Sequence, residues 1–426
     1  MSGETRTEAR WPDQFVYVCT AGGGANVNVA PMLHAGAGRV AGLVVMVPVT
    51  DRVKPSGPDR AQAILPAERL EAYARRVLRL PEHRMRRVWG HPDLLGSWTG
   101  TLTEAATLAR ELDAEIVFNI TGGRKPATLG AILGQGGAGE VPVSLISIGV
   151  SSFTVRLVRV ARDGTLDERP LPTSGRAGLD DYLASYGYRA VNRDAQLAWT
   201  DWMRRQNQVT RRIQKMTWPE RQAAFRATHR ATYERRRAPL PFQLSLPENA
   251  LPPLGPIIDG LEGAVLACDQ LTIETNEARR FLAGHWLEAL ILGSVEARLG
   301  SRSDLQIFSG IEIARDMDQT GRNRSAAETE FDLVILGDDR LDLVEAKAGA
   351  DISGLHDAIT KLGHYRTLLS GPAGAAWLVT PLVSRRILDE YDLLAHAEAE
   401  GVNIYSGDGA VGRLVKDLNK RYPRRG

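Results

Sequence analysis

The chain is 426 residues long, with 53 Lys and Arg against 51 Asp and Glu, and with 43% hydrophobic and 24% charged residues. This is an ordinary globular composition with room for two or three cores, and a formal charge of +2 leaves polyanion binding to local patches. No run of eighteen apolar residues occurs and the first residues are polar and charged, which argues against membrane-spanning and secretory readings. Cys19 and Cys268 lie far apart with no Cys-x-x-Cys partner, which excludes a zinc cluster and points to a reducing cytoplasm.

Taken in chain order, Phe15-Val16-Tyr17-Val18-Cys19 reads as a short buried strand, and Val44 to Val49 as another. Leu65 to Leu80 has helical periodicity, while Ile116 to Ile120 and Val143 to Ile148 are again strands. Strands separated by helical stretches predict a parallel, Rossmann-like α/β sheet. The first strand runs into Thr20-Ala21-Gly22-Gly23-Gly24-Ala25-Asn26, and the strand ending at Ile120 runs into Thr121-Gly122-Gly123-Arg124-Lys125. Glycine lets backbone N–H groups approach a phosphate, and a following helix N-terminus favours anions. With Arg124 and Lys125 adding positive charge, the two turns predict a phosphate-bearing ligand at the carboxyl end of the sheet. The first turn lacks the dinucleotide Gly-x-Gly-x-x-Gly spacing and no Walker Lys-Ser/Thr follows, so nicotinamide and ATPase readings are poor.

From about Trp199 to Arg237 the pattern is helical and basic, with Trp202, Trp218, Phe225 and Tyr233 interleaved among arginines. A helical hairpin with a solvated basic face is expected here, with steering or stacking of a nucleic acid as the functional alternative. Pro239 to Pro256 reads as a boundary or connector, and the Lys416 to Arg425 cluster as a surface helix with a frayed tail.

The C-terminal segment carries the densest chemistry. Glu330-Phe331-Asp332-Leu333-Val334-Ile335 and Leu343-Val344-Glu345-Ala346-Lys347 read as adjacent strands joined by the turn Gly337-Asp338-Asp339-Arg340. Strand residues two apart share a face, so Glu345 and Lys347 point the same way and Asp332 approaches from the neighbouring strand. Two carboxylates and an ammonium at one place suit Mg²⁺- or Mn²⁺-dependent phosphodiester hydrolysis. Asp332, Glu345 and the Ala346 carbonyl supply oxygens in this reading, and Lys347 orients water or neutralises charge on the phosphate.

This layout resembles the PD-(D/E)XK nuclease superfamily, with Asp332, Glu345 and Lys347 at the signature positions. The resemblance implies a core helix that adds a glutamate. The stretch Phe281 to Ile291 fits that helix, making Glu288 a further metal-binding and catalytic candidate; Glu330, two residues before Asp332, is another. The basic amphipathic helix Gly354 to Arg366 follows, and its Lys361 and Arg366 are candidates for substrate phosphate. The N-terminal half resembles the CARF domain, the CRISPR-associated Rossmann-like sensor of cyclic oligoadenylates. That resemblance rests on Thr20 to Asn28 and on Asn119-Ile120-Thr121-Gly122-Gly123-Arg124-Lys125, where Arg124 stands in place of the usual threonine. Leu179 to Tyr188 looks like the segment that follows the sensor in this subfamily.

Together the resemblances imply a CARF plus PD-(D/E)XK ancillary nuclease of type III CRISPR antiviral defence. The expected fold is α/β throughout: a sensor over residues 12–175 with a parallel sheet, a basic helical connector over 176–260, and a restriction-endonuclease-like domain over 261–426 with a mixed sheet. A homodimer is expected to hold one cyclic oligoadenylate, the tetraadenylate by preference, across paired sensors, and to bring the nuclease domains together around DNA or RNA. Its ligand contacts fall to Thr20, Ala21, Gly22, Gly23, Gly24, Asn26, Asn28, Thr121, Gly122, Gly123, Arg124 and Lys125. Asn26, Asn28 and Thr121 are assigned to ribose or base. A non-cleaving nucleotide sensor, a ligand-controlled transcription factor and a constitutive nuclease are the alternatives.

Overall fold

The computed structural model describes residues 10–21, 25–51, 63–121, 125–134, 138–148, 155–160, 166–171, 178–235, 237–315, 327–337, 340–349, 351–370 and 374–423. The chain divides into two units, one built chiefly from residues 1–189 and the other chiefly from 190–426.

The first unit is a seven-stranded sheet. Its strands are β1 (Phe15–Thr20), β2 (Val40–Pro48), β3 (Met85–Gly90), β4 (Glu115–Asn119), β5 (Val143–Ile148), β6 (Val155–Val160) and β7 (Leu166–Pro170), in the order β3-β2-β1-β4-β5-β6-β7. The first five strands in that order run parallel, and β6 and β7 add an antiparallel edge. Residues of β1 and β2 are buried on both faces, as a parallel sheet covered by helices requires. Cys19 is among them, whereas Cys268 in the other unit is exposed. The order reverses between β1 and β4. The two glycine-rich turns therefore leave neighbouring strands at the switch point of the sheet, where open α/β folds bind ligands.

The second unit holds a six-stranded mixed sheet: β8 (Tyr188–Val191), β12 (Leu305–Arg315), β13 (Thr329–Gly337), β14 (Arg340–Ala346), β15 (Ala376–Thr380) and β16 (Val402–Ser406), in the order β16-β15-β14-β13-β12-β8. Strands β12, β13 and β14 are antiparallel neighbours; β14, β15 and β16 are parallel. A small antiparallel sheet is made by β9 (Phe242–Ser245), β10 (Ala264–Ala267) and β11 (Gln270–Ile273). Among the described residues no helix is long and apolar enough to cross a membrane.

Three sequence expectations need correction. The basic segment is no free-standing connector: Trp199, Trp202, Met203, Val209, Ile213 and Phe225 are buried in one core with Trp286, Leu290 and Val295. Trp199 stacks on Trp202 at 5.1 Å and Phe225 on Trp286 at 4.1 Å between ring centroids. The helices are amphipathic, so the interleaved aromatics are core rather than base-stacking platforms, while the side chains of Trp218 and Tyr233 lie outside the described residues. The proline-rich stretch is no boundary either, since it contains β9 and the helix Leu251–Ile258. Finally, the C-terminal helix Ala410–Arg421 is anchored at its end, while Arg424 and Arg425 lie outside the described residues. Arg421 and Tyr422 close on Asp342, a fully buried carboxylate of β14.

Candidate functional site

In the β13–β14 hairpin Leu333 pairs with Val344, which puts Asp332 and Glu345 next along the ladder. Glu345 is only 3% exposed, and both its oxygens are engaged: Oε1 by Lys347 Nζ at 2.8 Å and Oε2 by Lys361 Nζ at 2.6 Å. Lys361, from the helix Ile352–Tyr365, is held in place by a second bond to the Glu330 carbonyl at 2.9 Å. Asp332 Oδ2 accepts the Ala346 N–H at 2.6 Å, so the carboxylate straddles the two strands. Across from Asp332 the neighbouring strand β12 places Gly310, whose φ of 61° is a left-handed conformation costly for residues with a Cβ.

The electrostatics are those of crowded carboxylates. Burial, and then the charge of Glu345, push Asp332 up to about 7. Glu288, on the helix Trp286–Leu299, is raised well above the usual carboxylate range by burial and then by Asp332 and Glu330. Burial and the neighbouring Glu312 raise Glu330 as well. Burial pulls the Lys347 ammonium down, but Glu345 and Asp332 outweigh it and lift its pKa.

The five sequence candidates Asp332, Glu345, Lys347, Glu330 and Glu288 therefore share one electrostatic field. Among the described residues, however, no three acidic, histidine or cysteine side chains are already gathered around a single ion position. Glu345 is instead satisfied by two ammonium groups. Hard oxygen donors that raise each other's proton affinity are a set that a divalent cation would neutralise, and to that extent the residues fit Mg²⁺ or Mn²⁺.

Two phosphate candidates are placed differently from the expectation. Lys361 is turned onto Glu345, and Arg366 donates through Nε to the Glu400 carbonyl at 3.3 Å. Replacing Lys361 by Met would leave the buried Glu345 carboxylate with one partner. The expected loss of folding stability is about 1–3 kcal/mol, measured by urea denaturation; an unchanged midpoint would show that the pair contributes nothing.

Sequence reasoning missed the basic and imidazole groups nearby. Arg280 lies over the Trp199 ring at 4.4 Å and draws both Glu288 and Glu330 toward the ionised form. Burial and then Arg280 drive His285 down to about 4, and burial lowers His229. The one legible signal was the spacing of His285 and Glu288, one turn apart on a helix.

In the first unit, the ends of β1 and β4 are tied together by buried polar side chains. Asn28 is 1% exposed and donates to the Thr20 carbonyl at 2.9 Å. Fully buried Asn119 donates to Tyr17 Oη at 2.9 Å and to Asn28 Oδ1 at 3.2 Å, and its own Oδ1 accepts the Thr121 N–H at 3.0 Å. Thr121 Oγ1 accepts the Ile148 N–H at 2.6 Å. Thr20, Ala21 and Asn28 are buried, and Asn28 ties the end of β1 to Asn119 on β4, as buried polar groups satisfy one another. Lys125 is exposed at the first residue of the helix Lys125–Leu133. Gly22, Gly23, Gly24, Gly122, Gly123, Arg124 and the Asn26 side chain lie outside the described residues.

One chain thus carries a largely parallel, Rossmann-like sheet and a mixed sheet bearing an acid and Glu-x-Lys. Residues 275–423, which contain the whole acidic cluster, match the family model of the Card1-like endonuclease domain. No curated protein matches the sequence. The fold is shared with protein VC1899 from Vibrio cholerae, at TM-score 0.68 and 17% identity over 96% of this chain and 98% of that one. It is shared also with Can2 from Sulfobacillus thermosulfidooxidans, solved in complex with cyclic tetra-adenylate, at TM-score 0.60 and 16% identity over 96% of this chain and all of that one.

Proposed function

We propose that this chain is a metal-dependent nuclease that acts on DNA or RNA under the control of a cyclic oligoadenylate, in type III CRISPR defence. One observation carries the reading: within the stretch matched to the endonuclease family, Asp332, Glu345 and Lys347 are joined through the β14 backbone and a 2.8 Å ion pair. Asp332, Glu345, Glu288 and the Ala346 carbonyl would supply the oxygens for the cation. When bound, Mg²⁺ or Mn²⁺ supplies Lewis-acid stabilisation of the phosphate charge. Lys347 neutralises the charge that grows on the phosphate and orients the attacking water. Glu330 deepens the negative field, and Lys361 keeps Glu345 in its rotamer.

In the first unit, the turns after β1 and β4 take the ligand phosphates, with Lys125 and Arg124 as counter-charges. The neighbouring fold that holds cyclic tetra-adenylate supports a ring of that size, and a symmetric ring suits a two-fold homodimer. The ligand activates only by binding the cutting-competent state better than the resting one.

The test is cleavage of labelled DNA and RNA with and without cyclic tetra-adenylate, in Mn²⁺, in Mg²⁺ and in excess chelator. Ligand- and metal-dependent cutting is expected; cutting that persists in chelator rules out the metal mechanism. Cutting indifferent to the ligand favours a constitutive nuclease. Lys125→Ala is expected to raise the ligand concentration for half-activation about ten-fold or more without changing the melting temperature, and unchanged activation clears Lys125 of the role.

A further inference from the structure

His285 follows a kink between two helices and leads into the one that carries Glu288. The kink depends on Gly284, whose φ of 138° is a conformation that side chains with a Cβ rarely adopt. It sets the direction in which the imidazole leaves the backbone. Its Nδ1 lies 2.9 Å from the Arg280 carbonyl oxygen. A carbonyl only accepts, so the proton sits on Nδ1 and Nε2 keeps its lone pair. The ring is further set edge-on to Trp199, at 5.6 Å and 90°.

Nε2 faces Glu288 Oε1 at 3.7 Å. That is too long for a hydrogen bond, so the two atoms face each other without bonding. Two donors each about 2.1 Å from one ion, however, stand about 3–4 Å apart. Metal-binding histidines characteristically donate the other ring N–H to a carbonyl or carboxylate, as His285 does to Arg280.

We propose that His285, through Nε2, is a nitrogen ligand to the divalent cation alongside Glu288. This rests on the metal-dependent reading above and adds to the oxygen set a donor that the sequence signature does not contain. A nitrogen donor favours first-row transition ions over Mg²⁺, so His285 tilts the site toward Mn²⁺.

Mn²⁺ itself is the probe. Pulsed electron paramagnetic resonance of the full chain with Mn²⁺ is expected to show ¹⁴N modulation, replaced by the ¹⁵N pattern when the histidines alone are ¹⁵N-labelled. Calorimetry of His285→Ala is expected to show about ten-fold weaker Mn²⁺ binding with Mg²⁺ binding nearly unchanged. Bound Mn²⁺ without nitrogen modulation overturns the proposal and leaves the nuclease reading intact. Modulation that survives in a folded His285→Ala protein also overturns it, by assigning the nitrogen elsewhere. No Mn²⁺ binding together with no cleavage removes the metal-dependent reading itself. Where His285→Ala fails to fold, His285→Gln takes its place in the assignment, and a wild-type spectrum without nitrogen modulation overturns the proposal by itself.

Discussion

Asp332→Asn is expected to abolish cleavage and, at the same time, to raise the melting temperature of the metal-free chain. The first effect follows from removing one charged oxygen ligand from a cluster that needs every one of them, a loss of at least about 10³-fold in rate. The second follows from the direction of the pKa shift. Burial and Glu345 hold the folded-state pKa of Asp332 at about 7, against an ordinary 3.8. The folded chain therefore binds this proton more tightly than the unfolded chain does. Its contribution to stability is present below about pH 4 and is lost as the pH rises through about 7. Asparagine keeps an oxygen for the Ala346 N–H and has no charge to repel Glu345. In chelator at pH 8 the variant should melt about 3–5 °C above the parent, and at pH 4 the two should coincide. A variant that melts lower than the parent at pH 8 would contradict the crowded-carboxylate account. Retained cutting would sink the site assignment.

Asp342→Ala is expected to be the most destabilising single change in the second unit. Asp342 is fully buried on β14 and receives four bonds: Arg421 Nε at 2.6 Å, Arg421 Nη2 at 2.8 Å, Tyr422 Oη at 2.5 Å and the Ala375 N–H at 2.8 Å. Burial alone would lower the Arg421 pKa, and Asp342 more than reverses that. Removing the carboxylate strands a guanidinium and a phenol in a low-dielectric pocket, at a cost of about 3–5 kcal/mol. The midpoint of urea unfolding measures it. A double change, Asp342→Ala with Arg421→Met, should recover part of the loss, because no buried charge is then left without a partner. A double variant no better than the single one would show that the network acts only through its shape.

Much of the fold was legible because its signals are local. The apolar runs at Phe15, Val44, Ile116 and Val143 all became strands of one parallel sheet. Periodicity could not say which strands are neighbours; only the β1–β4 pairing sets side by side the strands that lead into the two glycine-rich segments. In the basic segment, composition masked amphipathicity. Arginines advertise a surface, while the tryptophans between them form the interior.

By itself the sequence determined that Glu345 and Lys347 leave the backbone to one side, since a period of two sends them there, and they meet in a 2.8 Å ion pair. It also determined that both glycine turns end strands. Tertiary structure decided the partners that come from far along the chain. Lys361 reaches Glu345 from a later helix, Asp342 is closed by the last helix, and Asn28 turns inward to Thr20 and Asn119. The physical reason is that a residue's type and local period set which way its side chain leaves the backbone. Which charge or hydrogen-bond partner meets it there depends on how distant elements pack to satisfy every buried polar group.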